Sequence, residues 1–476
     1  MSLTTLYWLA FLGYSGIVLG IGLWIYFRGS SARRGADTAS FWSANKNLSG
    51  WSVGLSISAS MMSISWSCVY GVQLFYWYGV GAIWLLIIPW LITMGGFFAF
   101  APVFRRLQAF SQPELLEKRF GSRSRRLLAP ALIFVFIVWG GAEIWAAGKN
   151  IAPFLGISEP MTLLLIAGVV ALYSFTGGFE AVVSTDKLQF TLVALFITVM
   201  AALGVYGLGE QGQLSALDGA TFLAPRAQPQ APYLFSPGMA VILLTFLAYL
   251  PGWLVETDVW IRLQAARSDG EARKGIAITA LNSLIFVGML PLFIGLSALA
   301  LYPPVEGEIP ARLQDGAVIF NVLIADFAPP WLNLLLGIGL VAAAMSTVDT
   351  CSNVVALSLS YDVLEPFLRR RGYRLNLQLV ARWVSVGAVL LALVYALFTE
   401  SLWDIFYLSS GILTTTVFLP VVAAFRPSTK AAQVNASVVL GFGGTILFYF
   451  LESRGYLAAL EPSWLAETGL GYILLG

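Results

Sequence analysis

Ser346, Thr347, Asp349, Thr350 and Asn353 share one short stretch, AAAMSTVDTCSN at 342–353, inside a run of Leu, Ile, Val and Gly. An acidic residue at the centre of a bilayer costs about 2.5–3.5 kcal/mol on insertion scales, so it persists where it faces a cavity, a partner or an ion. Steps of three and four residues place Ala342 or Ala343, Ser346, Asp349 or Thr350, and Asn353 on one stripe of a helix. A lone hydroxyl in such a helix commonly bonds the carbonyl four residues back. Several oxygens and a carboxylate together suit a small hard cation, a preference described for calcium and magnesium and extended here to sodium.

The elements that must carry this stripe follow from composition. The chain has 476 residues, 58% hydrophobic and 11% charged, with a mean hydropathy of +0.80, against about 25% charged residues in ordinary soluble domains. It reads as an all-α integral membrane protein forming one membrane domain over 1–476. Apolar stretches long enough to cross fall near 6–27, 51–71, 75–103, 129–148, 160–176, 187–207, 237–260, 275–301, 331–364, 379–398, 402–424 and 432–451, about 12 transmembrane helices. The first lacks a basic flank and a small-residue cleavage site, as expected of a retained helix. Residues 452–476 form a short tail whose GLGYILLG is too short to cross.

If these spans alternate from an outside N-terminus, all but four of the 27 Lys and Arg residues fall in inner loops; the exceptions are Lys149, Arg226, Arg312 and Arg454. The bias places both termini outside a cell (inner) membrane. A net charge of +2 indicates no nucleic-acid partner. The two cysteines, Cys68 and Cys351, lie within spans and support no disulfide framework, and the absence of histidine excludes imidazole ligation and His-based catalysis. The 16 tryptophans fit interfacial belts first and a stacking pocket second. No attached module and no obligate protein partner is evident. Of the longer loops, 302–330 has the spacing of an amphipathic helix over the mouth, and SQPELLEKRFGSRSRR at 111–126 opens with a helix-start signal.

Two spans carry interruptions near their midpoints. SISASMMSISWS at 56–67 packs six serines into twelve residues, and AYLPGWLVETD at 248–258 places Pro251 and Gly252 in mid-membrane. Five spans separate the two starts, as expected of inverted repeats, 51–207 and 237–424, each unwound in its first helix, with 6–27 leading and 432–451 trailing. Unwound helices offer carbonyls and half-helix ends to an ion without formal charge.

Motifs in order then carry a resemblance: FWSANKNLSGW (41–51), SQPELLEKRF (111–120), YSFTGGFEAVVSTDKLQ (173–189), WLVETDVWIRLQAARSDGEARKG (253–275) and AAAMSTVDT (342–350). The chain resembles the sodium:solute symporter family, whose fold is similar to the five-plus-five inverted repeat of LeuT-type transporters. The resemblance implies a sodium site formed by carbonyls of Ala59 and Met62 and by Ala343, Ser346 and Thr347. It also implies, as in some members, a second sodium near Asp186, with Ser346, Asp349 and Thr350. Asp349 stands where certain relatives have hydroxyls, which leaves a stronger second site, a proton, or a salt bridge in its place as alternatives.

The same resemblance puts the solute beside the second-span break, among Ser63, Trp66, Ser67 and Gln73, facing Tyr249, Trp253 and Glu256. No expected span holds a Lys or Arg near its middle, whereas Glu143, Glu256, Asp258 and Asp349 are acids. Acids with aromatic faces favour a cationic or zwitterionic solute, an amino acid or quaternary amine; a sugar, or a carboxylate held by half-helix amides, is the alternative. For Glu143 a buried structural hydrogen bond, and for Asp258 an i+4 pair with Arg262, are competing roles. The expected function is sodium-coupled symport of a small organic solute. A channel, an enzyme and a sensor each lack a needed feature: a continuous polar pore, a catalytic base, a signalling module.

Overall fold

The computed structural model describes residues 2–32, 46–107, 109–176, 179–373, 376–457 and 461–475. The Gly177–Gly178 pair and the start of the 41–51 motif lie outside the described residues. Among the described residues, eleven helices are long and apolar enough to cross a membrane: Leu3–Ile25, Ile87–Arg106, Ser122–Leu155, Glu159–Thr176, Ala181–Glu210, Met239–Ala265, Asp269–Leu301, Pro330–Arg369, Leu377–Leu397, Leu402–Ala424 and Ala431–Ser453. A twelfth crossing comes from Gly50–Met61 and Ile64–Trp84, bent by 59° at their junction. In chain order the bent pair is the second span.

The boundary between the second and third spans differs from the expected 75–103. The second span continues to Tyr78, a tight turn covers Gly79–Trp84, and the third begins at Ile87. Hydropathy conceals this boundary because LFYWYGVGA is apolar throughout and almost wholly buried. Gly79 marks it: its φ is +61°, and a Cβ there would lie 2.7 Å from Thr221 Cα, so the turn needs glycine both for dihedral and for space.

The two ends of the helix bundle are each fastened by polar contacts. At one end Arg105 and Arg106 both reach Asp269, 2.9 Å for Arg105. Nearby, Ser111 caps the helix Gln112–Phe120, which has proline in its first turn, so the 111–126 stretch begins as its sequence indicates. Its Arg125 is no solvated linker residue: it is buried against Asp362, 3.1 Å away. At the other end, two of the four exceptional basic residues meet the 302–330 segment and a third lies within it. Lys149 donates to Gln314 at 3.2 Å, Arg226 pairs with Asp315 at 2.8 Å, and Arg312 pairs with Asp326 at 2.6 Å. The helix in that segment is short, Ile319–Phe327, and packs against the fourth and sixth spans.

The first half of the second span, Gly50–Met61, lies on the eighth span. A Cβ on Gly275 would stand 2.6 Å from Val53 Cγ1, and one on Gly54 would stand 2.9 Å from the Gly275 carbonyl. Small residues at a crossing allow this backbone approach, as at many membrane helix interfaces.

Candidate functional site

The second span opens between Met61 and Ile64. Ser63 has extended backbone, φ −82° and ψ 160°, and its Oγ accepts from the Trp66 N–H at 2.8 Å, capping a π-wound turn over Ile64–Tyr70. Glu143 of the fourth span completes the cap: its carboxylate accepts from the Ser65 hydroxyl and from the Ser65 N–H, the latter at 3.3 Å. An anion at a helix N-terminus is favoured by the free N–H groups and the helix dipole. The serine-rich sequence thus ends one half-helix and starts another, with the Ser65 and Trp66 amides already engaged.

The seventh span is interrupted three residues later than Pro251 suggests. Its helix runs Met239–Trp253, and a second begins at Thr257. Thr414 of the eleventh span explains the geometry. Its hydroxyl donates to the Ala248 carbonyl at 2.7 Å and accepts from the Gly252 N–H at 3.0 Å, so it sits against two backbone groups one turn apart. Pro251 removes one ladder bond and the Thr414 hydroxyl competes for the groups of another, and the helix ends within a turn of them.

Between the two breaks lies a cavity of about 60 Å³. Its acids are Glu143, Glu256 and Asp258, and its aromatic wall is Trp66, Trp90, Phe136, Trp139, Trp253 and Phe406. Ser60, Ser63, Thr347, Thr350 and Ser410 add hydroxyls, and no Lys or Arg is among the lining residues. Trp66 is central, with ring centroids 4.7 Å from Phe406 and 5.3 Å from Trp253.

Next to this cavity, oxygens of the second and ninth spans converge. The Ser346 hydroxyl reaches the Ala59 carbonyl at 3.2 Å and the Ala343 carbonyl at 3.0 Å, and the Thr347 hydroxyl reaches the Ser60 carbonyl at 3.2 Å. Met62 closes the half-helix Gly50–Met61 as its C-cap. The donor set is therefore hydroxyls and carbonyls from two spans, hard oxygens of the kind a small monovalent cation takes.

Comparison with known proteins identifies this assembly. The sequence profile of the sodium:solute symporter family matches residues 41–426, most of the chain. The chain belongs to the sodium:solute symporter family. Among its relatives, the sodium/glucose cotransporter of Vibrio parahaemolyticus is 28% identical, with 80% of this chain and 73% of that protein covered. The sodium/sialic acid symporter NanT of Aliivibrio fischeri is 24% identical over 94% of this chain and 87% of its own length. A solved structure described as the substrate-bound outward-open state of a sodium-coupled sialic acid symporter matches with a TM-score of 0.69 at 18% identity, covering 98% of this chain and 96% of that one. That last likeness shows the fold. By family, this chain is a sodium-coupled, multi-pass membrane transporter of a small solute.

Within this symporter the expected solute residues divide. Ser63, Trp66, Glu143, Trp253 and Glu256 line the cavity. Three others do not. Ser67 donates its hydroxyl to the Ser63 carbonyl at 2.9 Å, a bond within its own helix. Tyr249 stands behind the wall, its ring stacked 4.5 Å from Trp253 and its hydroxyl 3.3 Å from that of Tyr70. Gln73 lies towards the 302–330 segment, donating to the Asp315 carbonyl at 2.6 Å, so it fastens that turn and is not among the cavity's lining residues.

The stripe on the ninth span also divides. Ser346 and Thr347 face the second span; Asp349 accepts from Ser174 of the fifth span at 3.4 Å and from Asn353 at 3.1 Å; Thr350 faces Arg262. Arg262, placed by sequence in an inner loop, is buried within the helix Thr257–Ala265 at 2% exposure. The expected i+4 pair with Asp258 is present at 3.3 Å. Ser60 was missed although it both lines the cavity and donates to Asp258 at 3.0 Å. Trp90 and Trp139 gave no sequence signal distinguishing them from interfacial belt residues.

Proposed function

We propose that this symporter imports a small organic cation or zwitterion, an amino acid or a quaternary amine, driven by sodium through alternating access. The observation that carries this reading is the cavity wall: Glu143 and Glu256, which have no basic partner among the described residues, four tryptophans, and Asp258, whose charge is already met by Arg262 behind the wall. Buried anions are costly unless paired, and aromatic faces attract ammonium groups, so the wall is complementary to positive charge. A carboxylate-only solute fits less well. The N–H groups of Ser65 and Trp66, at the half-helix start, are already taken by Glu143 and Ser63. The relatives' names specify glucose and sialic acid, so cargo in this family is set by side chains of the individual cavity.

The sodium in this proposal is held by carbonyls of Ala59, Met62 and Ala343 with the hydroxyls of Ser346 and Thr347. Sodium bridging the second and ninth spans favours the conformer in which these spans adjoin, and that difference in affinity is what couples ion and solute. Spans two to six and seven to eleven form the proposed inverted repeats, with the first span leading, the twelfth trailing and both termini outside the cell membrane. At about 100 mV one inward charge supplies roughly 2.3 kcal/mol, and a tenfold sodium gradient adds about 1.4, enough for an accumulation of several hundred-fold.

A thermal-shift panel in sodium tests the cargo. A ligand that binds only the folded protein raises its stability by RT ln(1 + [L]/Kd). Amino acids or quaternary amines should raise the melting midpoint, and Trp66→Ala or Glu256→Gln should abolish that rise while sparing the shift produced by sodium. A rise with sugars or monocarboxylates alone would refute the assignment from Glu143, Glu256 and Asp258.

A further inference from the structure

A cavity of about 330 Å³, much larger than the solute cavity, lies between the third, seventh and eleventh spans, and every side chain lining it is hydrocarbon. Its sides are Phe100 and Val103, near the end of the third span, and Val421 and Phe425, at the end of the eleventh. Phe100, Val103 and Phe425 are half-exposed, so the cavity opens as a groove on the outside of the bundle. Its floor is the interruption of the seventh span. Leu254 and Val255 face the groove, whereas Trp253 and Glu256, on either side of them, line the solute cavity. Leu254 rests on Gly96 of the third span with no space for a side chain there, and the Val255 carbonyl accepts from Gln112 Nε2 at 2.7 Å. The end of the groove is basic. Arg106 falls between the lining residues Phe104 and Leu107, and Arg426 follows Phe425. Arg105 and Arg106 share a single carboxylate, that of Asp269, which leaves one positive charge over. Arg426 is exposed and pairs with no acid among the described residues, and Arg119 is held beside it by donating to the Pro427 carbonyl at 2.9 Å.

We propose that this groove is a lipid site: one acyl chain of an anionic phospholipid fills it, the phosphate pairs with Arg106 and Arg426, and the chain braces the 253–256 segment from behind. A space walled by hydrocarbon stays dry, and in a bilayer the molecules at hand to fill it are acyl chains. Such chains are as apolar as the side chains they meet, so the groove by itself prefers no lipid over another. Preference comes from its basic end. Each Lys or Arg close to an anionic headgroup adds about fivefold in affinity, so Arg106 and Arg426 together favour an anionic over a zwitterionic lipid about 25-fold. A second copy of the chain would have to bring an apolar ridge with an acid at its tip to the same place, and a phospholipid carries both in one molecule. An occupied groove denies Leu254 and Val255 room to move away from the bundle. Trp253 and Glu256 are thereby held against the solute cavity, whatever its cargo.

The experiment places the full chain in phosphatidylcholine vesicles doped with phosphatidylglycerol, or with further phosphatidylcholine, carrying a photoreactive diazirine on one acyl chain, and maps the adducts after irradiation. The phosphatidylglycerol probe should label 100–107 and 418–425 about 25-fold more than the phosphatidylcholine probe. Arg106→Gln with Arg426→Gln should bring the two probes level, and Val422→Trp, which fills the groove, should abolish labelling there by both. Hydrogen exchange across 253–256 should be slower with phosphatidylglycerol than without it in the parent, and the same in both lipids in the double variant. Equal labelling by the two probes, or labelling no stronger than at the exposed Leu390 and Val394 of the tenth span, overturns the proposal. Cross-links from one copy of the chain to another at the groove overturn it in favour of a dimer contact, and exchange indifferent to lipid overturns the bracing. If Val422→Trp does not fold, Arg426→Gln, at an exposed position, decides: labelling by phosphatidylglycerol should fall about fivefold, and an unchanged level overturns the proposal.

Discussion

Ser346 provides the sharpest test of where sodium sits. It is wholly buried, and its hydroxyl spans the gap between the ninth and second spans, 3.2 Å from the Ala59 carbonyl. In Ser346→Ala the methyl fits the same space, so packing is preserved and one oxygen is lost. A neutral hydrogen bond contributes about 0.5–1.5 kcal/mol, whereas one made to a charged group contributes about 1.5–3 kcal/mol. Taking the latter for the lost ion ligand, half-maximal sodium should rise roughly 10- to 150-fold, at 1.4 kcal/mol per factor of ten. The loss of stability should stay at the neutral-bond level. Thr347→Ala should behave alike, and Thr347→Ser, which keeps the oxygen, should stay near the parent. The assay is sodium-dependent uptake in proteoliposomes, read with the melting midpoint at several sodium concentrations. Mutant and parent sharing one sodium dependence would refute the assignment, since no other role of these hydroxyls links them to sodium affinity.

Other consequences concern scaffold and cargo. Arg125→Met leaves Asp362 buried without its 3.1 Å partner, and a broken buried pair costs about 3–5 kcal/mol; the melting midpoint should fall by several degrees, with recovery on adding Asp362→Leu. Thr414→Val removes the hydroxyl inserted at Ala248 and Gly252; hydrogen exchange at Gly252 should accelerate, and unchanged exchange would show the insertion to be idle. Arg226–Asp315 is solvent-accessible on both sides, so Asp315→Asn should lower stability by less than about 1 kcal/mol, measured by chemical denaturation.

Span number and the break in the second span were legible because bilayer length and serine content act locally. The acids of the cavity were legible for the same reason: each stands out against an apolar run. What sequence could not show depended on residues far apart in the chain. Arg262 lies at the edge of an apolar window and reads as a loop cation, until Asp186, 76 residues away, and Thr350, 88 residues away, are seen beside it. The position of the seventh-span interruption depends on Thr414, 162 residues from Gly252. Gln73 points outward only because the 311–318 turn folds onto it. Trp90 and Trp139 face the cavity rather than a lipid interface because neighbouring helices turn them inward, an orientation composition does not carry.

The most direct measurement is uptake into proteoliposomes under an imposed inward sodium gradient, with membrane potential set independently, for a labelled panel of amino acids, quaternary amines, sugars and monocarboxylates. The account predicts that an amino acid or quaternary amine accumulates only with sodium, that a negative interior increases it, and that Glu256→Gln abolishes it. Sodium-driven accumulation of sugars or monocarboxylates alone, unaffected by Glu256→Gln, would contradict it.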